Sequence, residues 1–172
     1  MNGQPKEIQF FIVYRLSFDF WLFYLPLLQR IMSYLSSFLS FVLAFSTTLF
    51  IVTYLLKLPH LITGQSALID EYYLKHFSTS VPIDFLLVFI YFQIGMFVIH
   101  QLRVTTQLAK IGMLALTTFV LTGGFCLYYQ SKPMTSSFFS RWFHKAGYYS
   151  VIYDILLLVS TFLIYDYMQK RV

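Results

Sequence analysis

Charge is scarce in this chain. Only 11% of its 172 residues are Asp, Glu, Lys or Arg, against about 25% in soluble domains. Cys126 is the single cysteine, so no intramolecular disulfide can form. Asn2 is the single asparagine and opens no glycosylation sequon. The first residues read as carrying no cleavable secretory signal, and position 2 is not the glycine that myristoylation needs. No glycine-rich phosphate loop is present, because Gly123 and Gly124 sit inside an apolar run. No serine or cysteine stands in a nucleophile elbow, and no T-V-G-Y-G potassium filter occurs. His60, His76, His100 and His144 include no i, i+4 pair. Neither a metal centre nor any other cofactor is expected.

What is present in abundance is apolar and aromatic. The chain is 58% hydrophobic and 21% aromatic, with a mean hydropathy of +0.68. A soluble fold of this length would leave a large apolar patch facing water. A bilayer removes that difficulty. Four runs are long enough to cross a hydrocarbon core of about 30 Å at about 1.5 Å per residue. They cover 31–56, 81–102, 108–129 and 148–168. Tyrosines gather near the run ends, among them Tyr72, Tyr73, Tyr128, Tyr129, Tyr148 and Tyr149. Interfacial aromatic belts occupy such positions. The expected fold is all-α, a bundle of about four transmembrane helices. The net charge of +5 is spread between the runs. Dispersed charge suits anionic headgroups and gives no nucleic-acid groove.

The segment 8–28 is apolar enough to be a fifth span, but Arg15 and Asp19 lie near its centre. Each costs roughly 2.5–3.5 kcal/mol at mid-membrane. Four residues apart, they can pair on one helical face. The reading is an amphipathic interfacial helix over 1–30, ahead of a four-helix domain over 31–172. With both termini inside, Lys6, Arg15, Arg30, Arg103, Lys110, Lys170 and Arg171 lie inside, and Lys57, Lys75, Lys132, Arg141 and Lys145 outside. That is a slight positive-inside bias.

Small residues recur at three- and four-residue spacing. Ser33, Ser37, Ser40, Ala44 and Thr47 do so in the first run, and Gly112, Ala115, Thr118 and Thr122 in the third. Such stripes let helices approach and hydroxyls bond across them, although Ser and Thr also bond back to their own helix. Intramembrane carboxylates are functional candidates by default. Asp154, inside the fourth run, either faces a polar cavity or pairs with Arg141 or Lys145. Asp84 follows Pro82 and is expected at the third position of a helix, on free N–H groups.

The stretch 136–145, S-S-F-F-S-R-W-F-H-K, combines Phe138, Phe139, Trp142 and Phe143 on one helical side with Arg141, His144 and Lys145. It reads as an interfacial foot, or as a docking surface built on aromatic and arginine anchors. Residues 141–154, R-W-F-H-K-A-G-Y-Y-S-V-I-Y-D, followed by an apolar run, resemble the end of small multi-pass membrane proteins of large nucleocytoplasmic DNA viruses. The resemblance covers roughly the last fifth of the chain. It implies a structural protein of an internal virion membrane, with capsid or other membrane proteins as partners.

Three functions are expected to compete. The first is non-enzymatic assembly in a membrane, through self-association or partner proteins. The second is a channel or transporter using Asp154. The third is a membrane enzyme on lipid substrates, pooling Asp84, Asp154 and an outer histidine.

Overall fold

The computed structural model describes residues 6–171, and side chains from residue 26 onward. Among these residues the chain is 86% helical and contains no strand. Within a bilayer every backbone N–H and C=O must be satisfied internally, and the helix does that within one segment. The order is α1 (Lys6–Leu49), a π-helical turn (Phe50–Leu55), α2 (Leu58–Thr63), α3 (Ser66–Asp70) and a second π-helical turn (Glu71–Lys75). Then follow α4 (Phe77–Gln101), α5 (Gln107–Gln130), α6 (Phe138–Ala146) and α7 (Tyr148–Gln169).

Four segments are long and apolar enough to cross a membrane: Pro26–Leu55, Phe77–Gln101, Gln107–Gln130 and Tyr148–Gln169. They are consistent with a multi-pass integral membrane protein. The chain divides into two units, Met1–Ser40 and Phe41–Val172. The first is helical from Lys6. Helix α1 runs without interruption through residue 30, where the interfacial segment was expected to give way to the four-helix domain. The side chains of Arg15 and Asp19, on which the interfacial reading turned, lie outside the described residues. Ser33 is exposed, Ser37 half-buried and Ser40 buried.

In the second unit α5 packs against α4 and α7, while α6 packs against α5 and α7. One face of α5, Leu114, Thr118, Thr122 and Cys126, is buried at four-residue spacing. Helix α7, which packs against α5, buries Leu157, Leu158 and Phe162, each at most 2% exposed. Ala44 is buried too, and Phe41, one turn before it, meets Phe85, Phe89 and Phe92 at centroid distances of 5.0–5.7 Å. Of the expected α5 stripe, Thr118 and Thr122 are buried, Ala115 is half-buried and Gly112 is exposed with open space around it. The close approach of α4 to α5 occurs at Gly95 instead, where a Cβ would overlap the buried Leu114 Cδ2.

Connections end where local chemistry ends them. Thr106 Oγ1 accepts from Ala109 N at 3.4 Å to start α5, and Ser137 Oγ accepts from Ser140 N at 3.4 Å to start α6. Gly147, at φ 54° and ψ −133°, lets α6 turn into α7. That backbone region is essentially reserved for glycine.

Candidate functional site: a cavity with two carboxylates

A cavity of about 230 Å³ lies between the second π-helical turn and helices α4 to α7. Both Asp84 and Asp154 line it. So do Tyr72, Tyr73, Tyr91, Tyr129, Trp142 and Tyr153, with aliphatic side chains between them. No lysine, arginine or histidine is among the lining residues.

Asp84 stands at the eighth position of α4, because the helix begins at Phe77 rather than near Pro82. The expected capping role is therefore corrected. Proline is tolerated early in a helix, where it removes few internal hydrogen bonds. At this depth Asp84 needs donors from elsewhere, and the second π-helical turn supplies two. Tyr72 donates to Asp84 Oδ1 at 2.7 Å, and Tyr73 donates to Oδ2 at 2.6 Å. Burial, then the Asp84 charge, pushes both phenols above the usual tyrosine range, so both remain protonated donors. The Tyr73 hydroxyl also lies 3.0 Å from that of Tyr153, which lies 3.0 Å from Thr53 Oγ1. Both π-helical turns thus bring a residue to this network. Such wide turns recur at functional sites.

Asp154, one position after Tyr153 on α7, accepts from Thr122 Oγ1 of α5 at 2.8 Å. The alternative of pairing with Arg141 or Lys145 does not occur. Arg141 instead makes a two-pronged ion pair with Glu71, and Lys145 is exposed. The fork holds the Glu71 carboxyl below its ordinary value, and the same hydrogen bond raises the guanidinium's. A bidentate fork is the arrangement arginine makes best, and Glu71 offers it without crossing the cavity.

The aromatic side of α6 faces the cavity. Phe138 and Trp142 line it, as does Phe143, and Trp142 and Phe143 are buried at 7% and 6% exposure. Phe138 stacks on Tyr72 at 4.0 Å between centroids, and Phe143 stacks on Tyr129 at 5.4 Å. The aromatic side of the expected interfacial foot thus packs on rings of the bundle. His60 pairs with Asp70 at 2.9 Å and His144 contacts two backbone carbonyls, so neither joins the carboxylates.

No family model, curated protein or solved structure matches the chain. The chemistry of the cavity is therefore read from its own residues. Among the described residues no group of three or more His, Cys, Asp or Glu side chains is placed to hold a metal ion. The cavity thus sets two carboxylates among aromatic rings, with no basic side chain among its lining residues. Sequence reasoning singled out Asp84 and Asp154 but missed Tyr72, Tyr73, Tyr153 and Thr53. The Tyr153-Asp154 dipeptide inside an apolar run was a local signal. The other three are joined to the site only by the fold.

Proposed function

We propose that this protein is an intramembrane receptor for an apolar small molecule carrying an ammonium group. The observation that carries the reading is a cavity holding two carboxylates and no basic residue. Each of these half-buried carboxylates carries a desolvation cost in the largely apolar cavity unless something compensates it. Three hydroxyl donors offset part of that cost. A bound cation supplies the rest, and the tyrosine and tryptophan faces attract it further. The aliphatic and aromatic lining suits the ligand's apolar body.

The assembly reading rested on the small-residue stripes and the aromatic-basic foot, and its viral membrane on the resemblance of residues 141–154. Burial of Trp142 and Phe143 favours the ligand reading over the assembly reading. The lipid-enzyme reading needed an outer histidine, and none lines the cavity.

The test is equilibrium binding to the full chain in lipid nanodiscs. Protonated N,N-dimethyl-3-phenylpropylamine is compared with (4-methylpentyl)benzene, which has C–H where the amine has N–H⁺. The ammonium probe is expected to bind about 100-fold more tightly, the scale of a desolvated charge pair. Equal affinity for the two probes, or no binding of either, would sink the proposal.

A further inference from the structure

The two carboxylates are not equally provided for. Asp84 receives one phenol on each oxygen, Tyr72 on Oδ1 and Tyr73 on Oδ2. A tyrosine hydroxyl has one hydrogen, and Tyr73 gives its hydrogen to the Asp84 carboxylate. The 3.0 Å contact between Tyr73 and Tyr153 then runs with Tyr153 as donor. By the same count Thr53 donates to Tyr153 across 3.0 Å. Asp84 is therefore the terminus of a directed chain, Thr53 to Tyr153 to Tyr73 to Asp84. That chain joins the end of the first span, α7, the second π-helical turn and α4.

Asp154 is provided for on one side only. Thr122 donates to Oδ2. Among the described residues no hydrogen bond to Oδ1 is seen, and Asp154 lines the cavity. Of the two candidate cationic partners, Arg141 is paired with Glu71, and Lys145 is exposed and does not line the cavity.

We infer that Asp154 Oδ1 accepts the ligand's N–H directly, whereas Asp84 is a held charge that attracts the cation without contacting it. Asp154 is then the specificity-determining residue of the site. Thr53, Tyr153 and Tyr73 are positioning residues that act through Asp84. This assignment rests on the ammonium-receptor reading above.

Single variants in nanodiscs, with the same two probes, separate the two claims. Asp154→Asn is expected to lower the ammonium preference by about 100-fold, and Asp84→Asn by less than about tenfold. An Asp84→Asn loss equal to or larger than that of Asp154→Asn overturns the assignment while leaving the receptor reading intact. Absence of any preference in the wild-type chain overturns both.

Should Asp154→Asn fail to fold, infrared difference spectra of the binding step decide. Adding the ammonium probe is expected to perturb one carboxylate stretch. Thr122→Val, which strips Asp154 of its donor, should displace that band, and Tyr73→Phe, which strips Asp84, should not. The reverse pattern overturns the assignment.

Discussion

Tyr72–Tyr73 and Tyr148–Tyr149 are the same dipeptide in opposite environments. Tyr72 and Tyr73 are 7% and 5% exposed, and both hydroxyls end on Asp84. Tyr148 and Tyr149, at the start of α7, are 62% and 57% exposed. The difference lies in what each turn meets. The 72–73 pair rides on a π-helical turn packed against α4, one side chain before it being the Glu71 partner of Arg141. The 148–149 pair opens α7 directly after Gly147. A phenol at a membrane interface is amphipathic and sits well at the headgroups. Given a buried carboxylate as acceptor, it becomes structural instead.

The contrast is broken most forcefully by removing single hydroxyls. Tyr73→Phe leaves Asp84 Oδ2 without its phenol and the Tyr153 hydroxyl without its acceptor. A hydrogen bond to a charged group is worth about 1.5–3 kcal/mol. Tyr73→Phe should lower stability by about that much in denaturant titration of the detergent-solubilised chain. Tyr148→Phe should stay within about 0.5 kcal/mol of wild type, as exposed substitutions do. Equal losses at the two positions would remove the distinction between the pairs.

Threonines one turn apart on α5 repeat the contrast on a smaller scale. Thr118 donates to its own helix at Leu114 O across 2.9 Å, and Thr122 donates across to Asp154. Bonding back to the preceding turn is the default for a threonine in a membrane helix. Asp154 presents the stronger acceptor, and Thr122 turns to it. Interhelical hydrogen bonds in membranes average about 0.6 kcal/mol and reach about 1.7. Thr122→Val should fall near the upper figure and Thr118→Val below the lower one, by the same titration. A larger loss at Thr118 would contradict the ranking.

These particulars show where the sequence was legible. The spans follow from apolar runs, because a bilayer leaves the backbone little alternative to helix. Both cavity carboxylates stand out, because ionisable groups are rare within such runs. What surrounds them was hidden. Tyr72 and Tyr73 look like a belt pair in every local respect, and only the packing of their turn against α4 brings Asp84 within reach. The amphipathic pattern of α6 has an aromatic side and a polar side, but periodicity does not say whether the aromatic side meets lipid or protein. Its partners, Tyr72, Tyr129 and Tyr153, come from three separate elements. Arg141 was likewise readable as an ion-pair donor, while Glu71, seventy positions away, was not readable as its acceptor.

The hydroxyl chain predicts a coupling rather than a single loss. If Tyr153 donates to Tyr73, the effects of Tyr73→Phe and Tyr153→Phe are not independent. A double-mutant cycle should give an interaction of about 0.6 kcal/mol, in line with other intramembrane pairs. The same cycle on Tyr73 and Tyr148 should give none outside error. Additivity within the Tyr73–Tyr153 pair would break the directed chain and return the two hydroxyls to separate roles.

The smallest expected effect lies beside the buried pair, outside the spans. Glu71 precedes Tyr72, and Arg141 ties it to α6. The fork depresses the Glu71 pKa in the folded chain. A depressed carboxyl contributes stability that is present above its unfolded pKa, about 4.3. That contribution is lost as pH falls through the lower folded value. Thermal melts of wild type should therefore decline on acidification from about pH 4.3 downward, and part of that decline should be missing in Glu71→Gln. Both groups retain access to solvent, so salt should shrink the difference. Identical acid limbs in the two proteins would mean that the fork does not hold the tyrosine turn. The burial of Tyr72 and Tyr73 would then rest on Asp84 and the stacked rings alone.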